Sequence, residues 1–98
     1  MIDLESAYIE EIKRIIREHA AGFQVWAFGS RIQGNAQRFS DLDLALIGPG
    51  KMDWRRMEEL EDAFAESDLP IQVDVLDWHT LSELFQKIIQ ANHEEFPV

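Results

Sequence analysis

The 98-residue sequence contains no cysteine, so neither a disulfide frame nor a thiolate metal site is available to it. Bases are also scarce: nine Lys and Arg stand against nineteen Asp and Glu, a formal net charge of −10. Neutralisation of phosphates by Lys and Arg dominates nucleic-acid affinity, so this shortage argues against direct binding of a nucleic acid. The deficit is uneven. Residues 1–49 hold seven acids and five bases, whereas residues 50–98 hold twelve and four, which makes the second half an acidic surface better suited to a basic protein partner. Long apolar runs are missing too, and nothing approaches the roughly 18 consecutive apolar residues that cross a bilayer, so no membrane insertion is expected. The stretch from Met1 to Phe23 carries acids from its third residue, the opposite of a signal peptide, and the expected location is the cytoplasm. A 46% apolar composition over this length predicts one domain, residues 1–98, because two would each be too small to hold a core.

Within that frame, Leu4, Tyr8, Ile12, Ile15, Ile16 and His19 recur at helical spacing, with Asp3 as a candidate N-cap and Gly22 just past the end. Phe23 to Phe28 is a nearly continuous apolar run that stops at Gly29 and predicts a buried strand, followed by a loop or short helix. Leu42, Leu44 and Leu46, alternating with Asp43, Ala45 and Ile47, predict a second strand before the Gly48-Pro49-Gly50 break. A helix with Trp54, Met57, Leu60 and Phe64 on its inner face and Asp53 as its cap comes next, ended by Asp68-Leu69-Pro70. Ile71, Val73 and Val75 predict a third strand. In the last helix Thr80 and Glu83 have capping-box spacing and Leu81, Leu84, Phe85 and Ile88 form the expected buried stripe. The order implies a small sheet covered mainly on one face, with the other open to a ligand or partner.

The chemistry concentrates at two places. Asp41 and Asp43 are two apart at the start of a strand, so their side chains share a face while Leu42 points to the other. Two carboxylates about 5 Å apart repel by on the order of 3 kcal/mol at an effective dielectric near 20, a cost that a divalent cation offsets. Hard oxygen ligands suit magnesium, which completes its shell with phosphates and water, and this points to a nucleoside triphosphate. Asp74 lies mid-strand between Val73 and Val75; with its strand beside that of Asp43 and faces matched, three acids could hold two metal ions. Gly29 and Ser30 supply the phosphate side, through close backbone approach and a hydroxyl, while either Arg31 or Arg38 could neutralise the triphosphate. No dinucleotide or P-loop glycine pattern is present.

The string Gly29-Ser30-Arg31, two residues, Gly34, five residues, Ser40-Asp41-Leu42-Asp43-Leu44, with the later Val73-Asp74-Val75, resembles the signature of the DNA polymerase β-type nucleotidyltransferase superfamily. In length and layout the chain is similar to its minimal members, the MNT antitoxins that accompany HEPN-domain toxins, and Gln33 and Asn35 depart little from the pattern. The resemblance implies an α+β fold with a small mixed sheet packed with helices. It implies nucleotide binding at Gly29, Ser30, Arg31 and Ser40, and Mg2+, as a two-metal site, on Asp41, Asp43 and Asp74. Asp74 stands in the third-acid position, as ligand or base. It further implies transfer of AMP from ATP, as substrate, to a tyrosine of a HEPN toxin.

Plainer readings stand beside these. Ser40 before an acid is also ordinary turn chemistry, Asp74 could be a wet edge-strand acid, and the acidic run from Glu58 to Asp68 a solvated helix face. His19, His79 and His93 share no metal-ligand spacing, and Trp26, Trp54 and Trp78 read as packing residues. Two alternatives to protein adenylylation remain: an antitoxin that neutralises by binding alone, and a transferase for a small acceptor such as an aminoglycoside.

Overall fold

Alternation within Leu42–Ile47 organises the molecule, because it sends Leu42, Leu44 and Leu46 to one side of the strand and Asp43 to the other. In the computed structural model, residues 4–33 and 41–96 are described, apart from the Gln33 side chain. The expectations on Asp3, Gly34, Arg38 and Ser40 lie outside the described residues.

The elements run α1 (Ser6–His19), β1 (Gln24–Phe28), α2 (Ser30–Gln33), β2 (Leu42–Ile47), α3 (Trp54–Ala65), β3 (Val73–Asp77), a 3₁₀ turn (Trp78–Thr80), α4 (Glu83–Ala91) and β4 (Glu94–Glu95). Among the described residues the strands form one mixed sheet in the order β3-β2-β1-β4, in which β1 is antiparallel to β2 and β4, and β2 is parallel to β3. The architecture is α+β, as expected. The two-residue β4 is an addition to the three strands read from the sequence.

One face of this sheet carries the core. Val25, Ala27, Leu42, Leu44 and Leu46 meet Ile12, Ile15 and Ile16 of α1 and Leu60 and Phe64 of α3, and all are buried. At about 1.5–3 kcal/mol for each fully buried large aliphatic side chain, this layer is the main source of stability. Arg56 of α3 clamps the two helices: its Nε donates to the His19 carbonyl at 2.8 Å and an Nη donates to that of Ala21 at 2.7 Å. Those carbonyls close α1, where intrahelical donors have run out. Gly22 then turns the chain into β1 with φ of +89°.

Several local expectations are corrected. The N-cap of α1 is Glu5, which makes no side-chain cap bond. Asp53 occupies the cap position of α3 but its carboxylate does not bond back to the helix. Trp54 is exposed, stacked loosely with the Arg55 guanidinium, and is not a packing residue. At α4 the cap is Ser82, whose hydroxyl accepts from Phe85 N, because Thr80 is drawn into the 3₁₀ turn and donates to the Asp77 carbonyl. Leu84 and Ile88, read as buried, are 71% and 57% exposed; Ile89 is the residue that α4 buries.

Candidate active site

The opposite face of the sheet holds the acids. Parallel pairing of β2 and β3 sets Asp43 directly beside Asp74, and antiparallel pairing of β1 and β2 sets Phe28 on the other side of Asp43. Paired residues project from the same face, so the assumed register between the two acidic strands is the observed one. Asp41 precedes β2 by one residue and is exposed.

Beyond Phe28 the chain enters Gly29 with φ of +86°, and α2 begins at Ser30. A Cβ on Gly29 would come within 2.5 Å of Asp43 Oδ2, so the carboxylate lies against bare backbone that only glycine provides. Turn and acid are therefore in contact, although fourteen residues separate them. Arg31 is 6% exposed and engaged within the protein, a charge buried beside the turn rather than spread on the surface.

Electrostatics single out Asp43. Its pKa is raised from the ordinary carboxylate value of 3.8, first by burial, then by the charges of Asp74 and Asp41. Asp74 is held by Gln72, whose Nε2 donates to Oδ1 at 2.7 Å. As the side chains stand, no three Asp, Glu or His of the described residues close on a single point. The donor set nonetheless fits a hard divalent cation: carboxylate oxygens only, converging from two strands, with a shared repulsion that such an ion relieves.

An open cavity of about 880 Å³ runs along β3 from Asp43, Asp74, Phe28 and Phe85 to the end of α3, where Phe64, Leu69 and Ile71 line it. That volume is in the range of small-molecule sites. Phe85 reaches it from α4 and meets Phe28 edge to face, with ring centroids 5.8 Å apart. Sequence reading missed Gln72 and the two phenylalanines. Gln72 carried a signal, being two residues before Asp74 in an extended segment and thus on the same face. Phe85 carried none, since its approach to Phe28 depends on tertiary packing. Asp77, also unremarked, is structural: 6% exposed, it accepts from Met52 N at 2.7 Å and from His79 N at 3.0 Å.

Comparison with known proteins matches this arrangement to a family. The model of the polymerase β nucleotidyltransferase domain matches residues 10–95. A Haemophilus influenzae protein named "Probable protein adenylyltransferase MntA" is 45% identical over 89 residues, which are 91% of this chain and 78% of that one. Among solved structures, a toxin–antitoxin crystal structure with AMP-PNP superposes with a TM-score of 0.76 at 24% identity, covering 91% of this chain and 72% of the other. A tri-AMPylated Shewanella oneidensis HEPN toxin in complex with MNT antitoxin gives a TM-score of 0.71 at 19% identity, covering 96% and 72%. These two likenesses bear on the fold, and the first two matches on descent. Taken with the glycine turn set against paired strand acids, they mean that the chain belongs to the polymerase β nucleotidyltransferase family.

Proposed function

We propose that this chain, as one nucleotidyltransferase domain working in the cytoplasm, transfers AMP from ATP to a hydroxyl of a HEPN partner protein, a tyrosine by preference, and so acts as its antitoxin. The observation that carries the reading is the in-register pair Asp43 and Asp74, with Asp41 nearby, facing an open cavity beside the Gly29-Ser30 turn. Adenylyl transfer as the class of reaction is supported by the 45% identical MntA relative, and the HEPN partner by the toxin–antitoxin complexes among the structural neighbours.

In this scheme the backbone after Gly29 and the Ser30 hydroxyl hold triphosphate oxygens. Asp41, Asp43 and Asp74 would hold magnesium, which supplies positive charge to the phosphates when bound. The acceptor oxygen attacks the α-phosphorus, the bond from that phosphorus to the oxygen bridging to the β-phosphate breaks, and pyrophosphate leaves. The hydroxyl proton passes to a carboxylate, with Asp74 placed for it by Gln72. Ser40 completes the set in the family pattern.

The test is the intact mass of a HEPN-domain protein from the same organism, after incubation with the chain, ATP and magnesium. Increments of whole adenylyl groups are expected, and they should vanish with Asp41→Asn. Neutralisation of the toxin without a mass change, indifferent to that substitution, would instead establish an antitoxin that acts by binding alone.

A further inference from the structure

The apolar arc of α4 is wider than the surface it covers. At about 100° per residue, Leu84, Ile88, Phe85 and Ile89 span roughly 140° of the helix circumference. Only one side of that arc is used: Ile89 is 1% exposed and Phe85 meets Phe28, while Leu84 and Ile88 stand 71% and 57% exposed. Two large aliphatic side chains one turn apart on a nine-residue helix form a continuous apolar stripe in water.

Position gives the stripe its meaning. Phe85 is flanked by Leu84 in sequence and also lines the cavity that contains Asp43 and Asp74. The stripe thus adjoins, through Phe85, the cavity that the acids line. Charge selects among possible occupants. The cavity wall contributes Asp43, Glu61 and Asp74, α4 itself carries Glu83 and Lys87, and the chain has a net charge of −10. A second copy would bring the same acidic surface and be repelled, whereas a basic partner is attracted.

We infer that the exposed Leu84–Ile88 stripe of α4 is the seat of the acceptor protein, a partner with an apolar knob flanked by basic side chains that feeds its hydroxyl into the adjoining acidic cavity. This rests on the adenylyl-transfer reading above and adds to it the surface that orients the acceptor. Such orientation is needed because the cavity is open and the described elements build no wall around an attacking oxygen.

The experiment pairs this chain with a HEPN-domain protein from the same organism and measures their Kd by calorimetry without nucleotide, then the KM for the HEPN protein in AMP transfer. In Leu84→Asp/Ile88→Asp both constants are expected to rise by roughly 30-fold or more, the scale of losing a hot-spot cluster. The same variant should keep the wild-type rise in melting temperature with magnesium and ATP, which separates docking from nucleotide binding. Leu84→Ser/Ile88→Ser serves as a milder second variant and should fall between. Wild-type Kd in both variants overturns the inference. So does a wild-type chain that does not bind the HEPN protein, or one whose sedimentation shows a dimer that the variants dissolve, since the stripe then serves a second copy. Binding that depends on Leu84 and Ile88 without any AMP transfer upholds the docking surface and defeats the catalytic reading instead.

Discussion

Asp43→Asn is expected to abolish AMP transfer and, at the same time, to raise the melting temperature of the unliganded chain at neutral pH. Both effects come from one arrangement. Burial and the charges of Asp74 and Asp41 raise the pKa of Asp43 in the folded protein above the ordinary value of 3.8. Between those two values the folded state binds the proton more tightly than the unfolded state, so stability falls as pH rises through the window, and the full cost is present at neutral pH. Asparagine removes that cost, so the unliganded variant should melt above wild type at neutral pH. The gain should fade below about pH 4, where the wild-type carboxyl is protonated in both states. Transfer should fall by about 10³-fold or more, because a neutral amide cannot anchor the cation charge that stabilises the phosphoryl transition state. Melting curves with and without magnesium and ATP check the pair of effects: wild type should gain stability with the ligand, and Asp43→Asn should not. An Asp43→Asn chain that melts below wild type, or that responds equally to magnesium and ATP, would sink the metal-site reading.

Gly29→Ala carries the second large effect, and it differs from an ordinary glycine replacement. The backbone there has φ of +86°, and an alanine in that region costs about 1–2 kcal/mol in local strain. Its methyl also lands 2.5 Å from Asp43 Oδ2, so the carboxylate must move away from the turn. A misplacement on the order of 1 Å at a reacting group costs about 10²-fold in rate. The expected result is a loss of several degrees in melting temperature together with a transfer rate reduced about 10²-fold. Gly22→Ala separates the two causes: its φ is +89°, but nothing lies within 4 Å of the added atom. It should lose similar stability and keep wild-type transfer. Comparable activity loss in both variants would mean that backbone strain alone, and not contact with Asp43, explains the requirement at Gly29.

Local chemistry made much of this site readable in advance. Asp41 and Asp43 are two residues apart, and a strand converts that spacing into proximity without help from the rest of the fold. Gly29 announced a turn by its type alone. The pairing of Asp43 with Asp74 was not readable, because parallel register is set by the β2–α3–β3 connection and by core packing over thirty residues. The fourth strand escaped notice because Glu94–Glu95 is too short to alternate, and it pairs only with the middle of β1. At α4 the local signal misled: Thr80 and Glu83 have the right spacing for a capping box, yet the carboxylate of Asp77 bonds His79 N and a 3₁₀ turn takes Thr80 out of reach. Trp54, Leu84 and Ile88 share another cause of error, since helical periodicity identifies an apolar face but not whether the same chain covers it.

The alternation within Leu42–Ile47 also bears on how such a gene can change. A strand has only two phases, so deleting a single codon inside β2 exchanges its faces beyond that point, setting leucines toward the acids' face and the alternate positions, drawn from Asp43, Ala45 and Ile47, toward Ile12, Ile15 and Leu60. Deleting two codons restores the phase but slides the strand one pleat past β3, about 7 Å, which parts Asp43 from Asp74. A point substitution at Asp43 leaves the leucine layer whole and is felt in the chemistry alone, while a change of length is felt by folding or by chemistry along the rest of the strand. The six-residue span of β2 is thus held fixed in frame by both of its faces, the leucines through folding and Asp43 through chemistry.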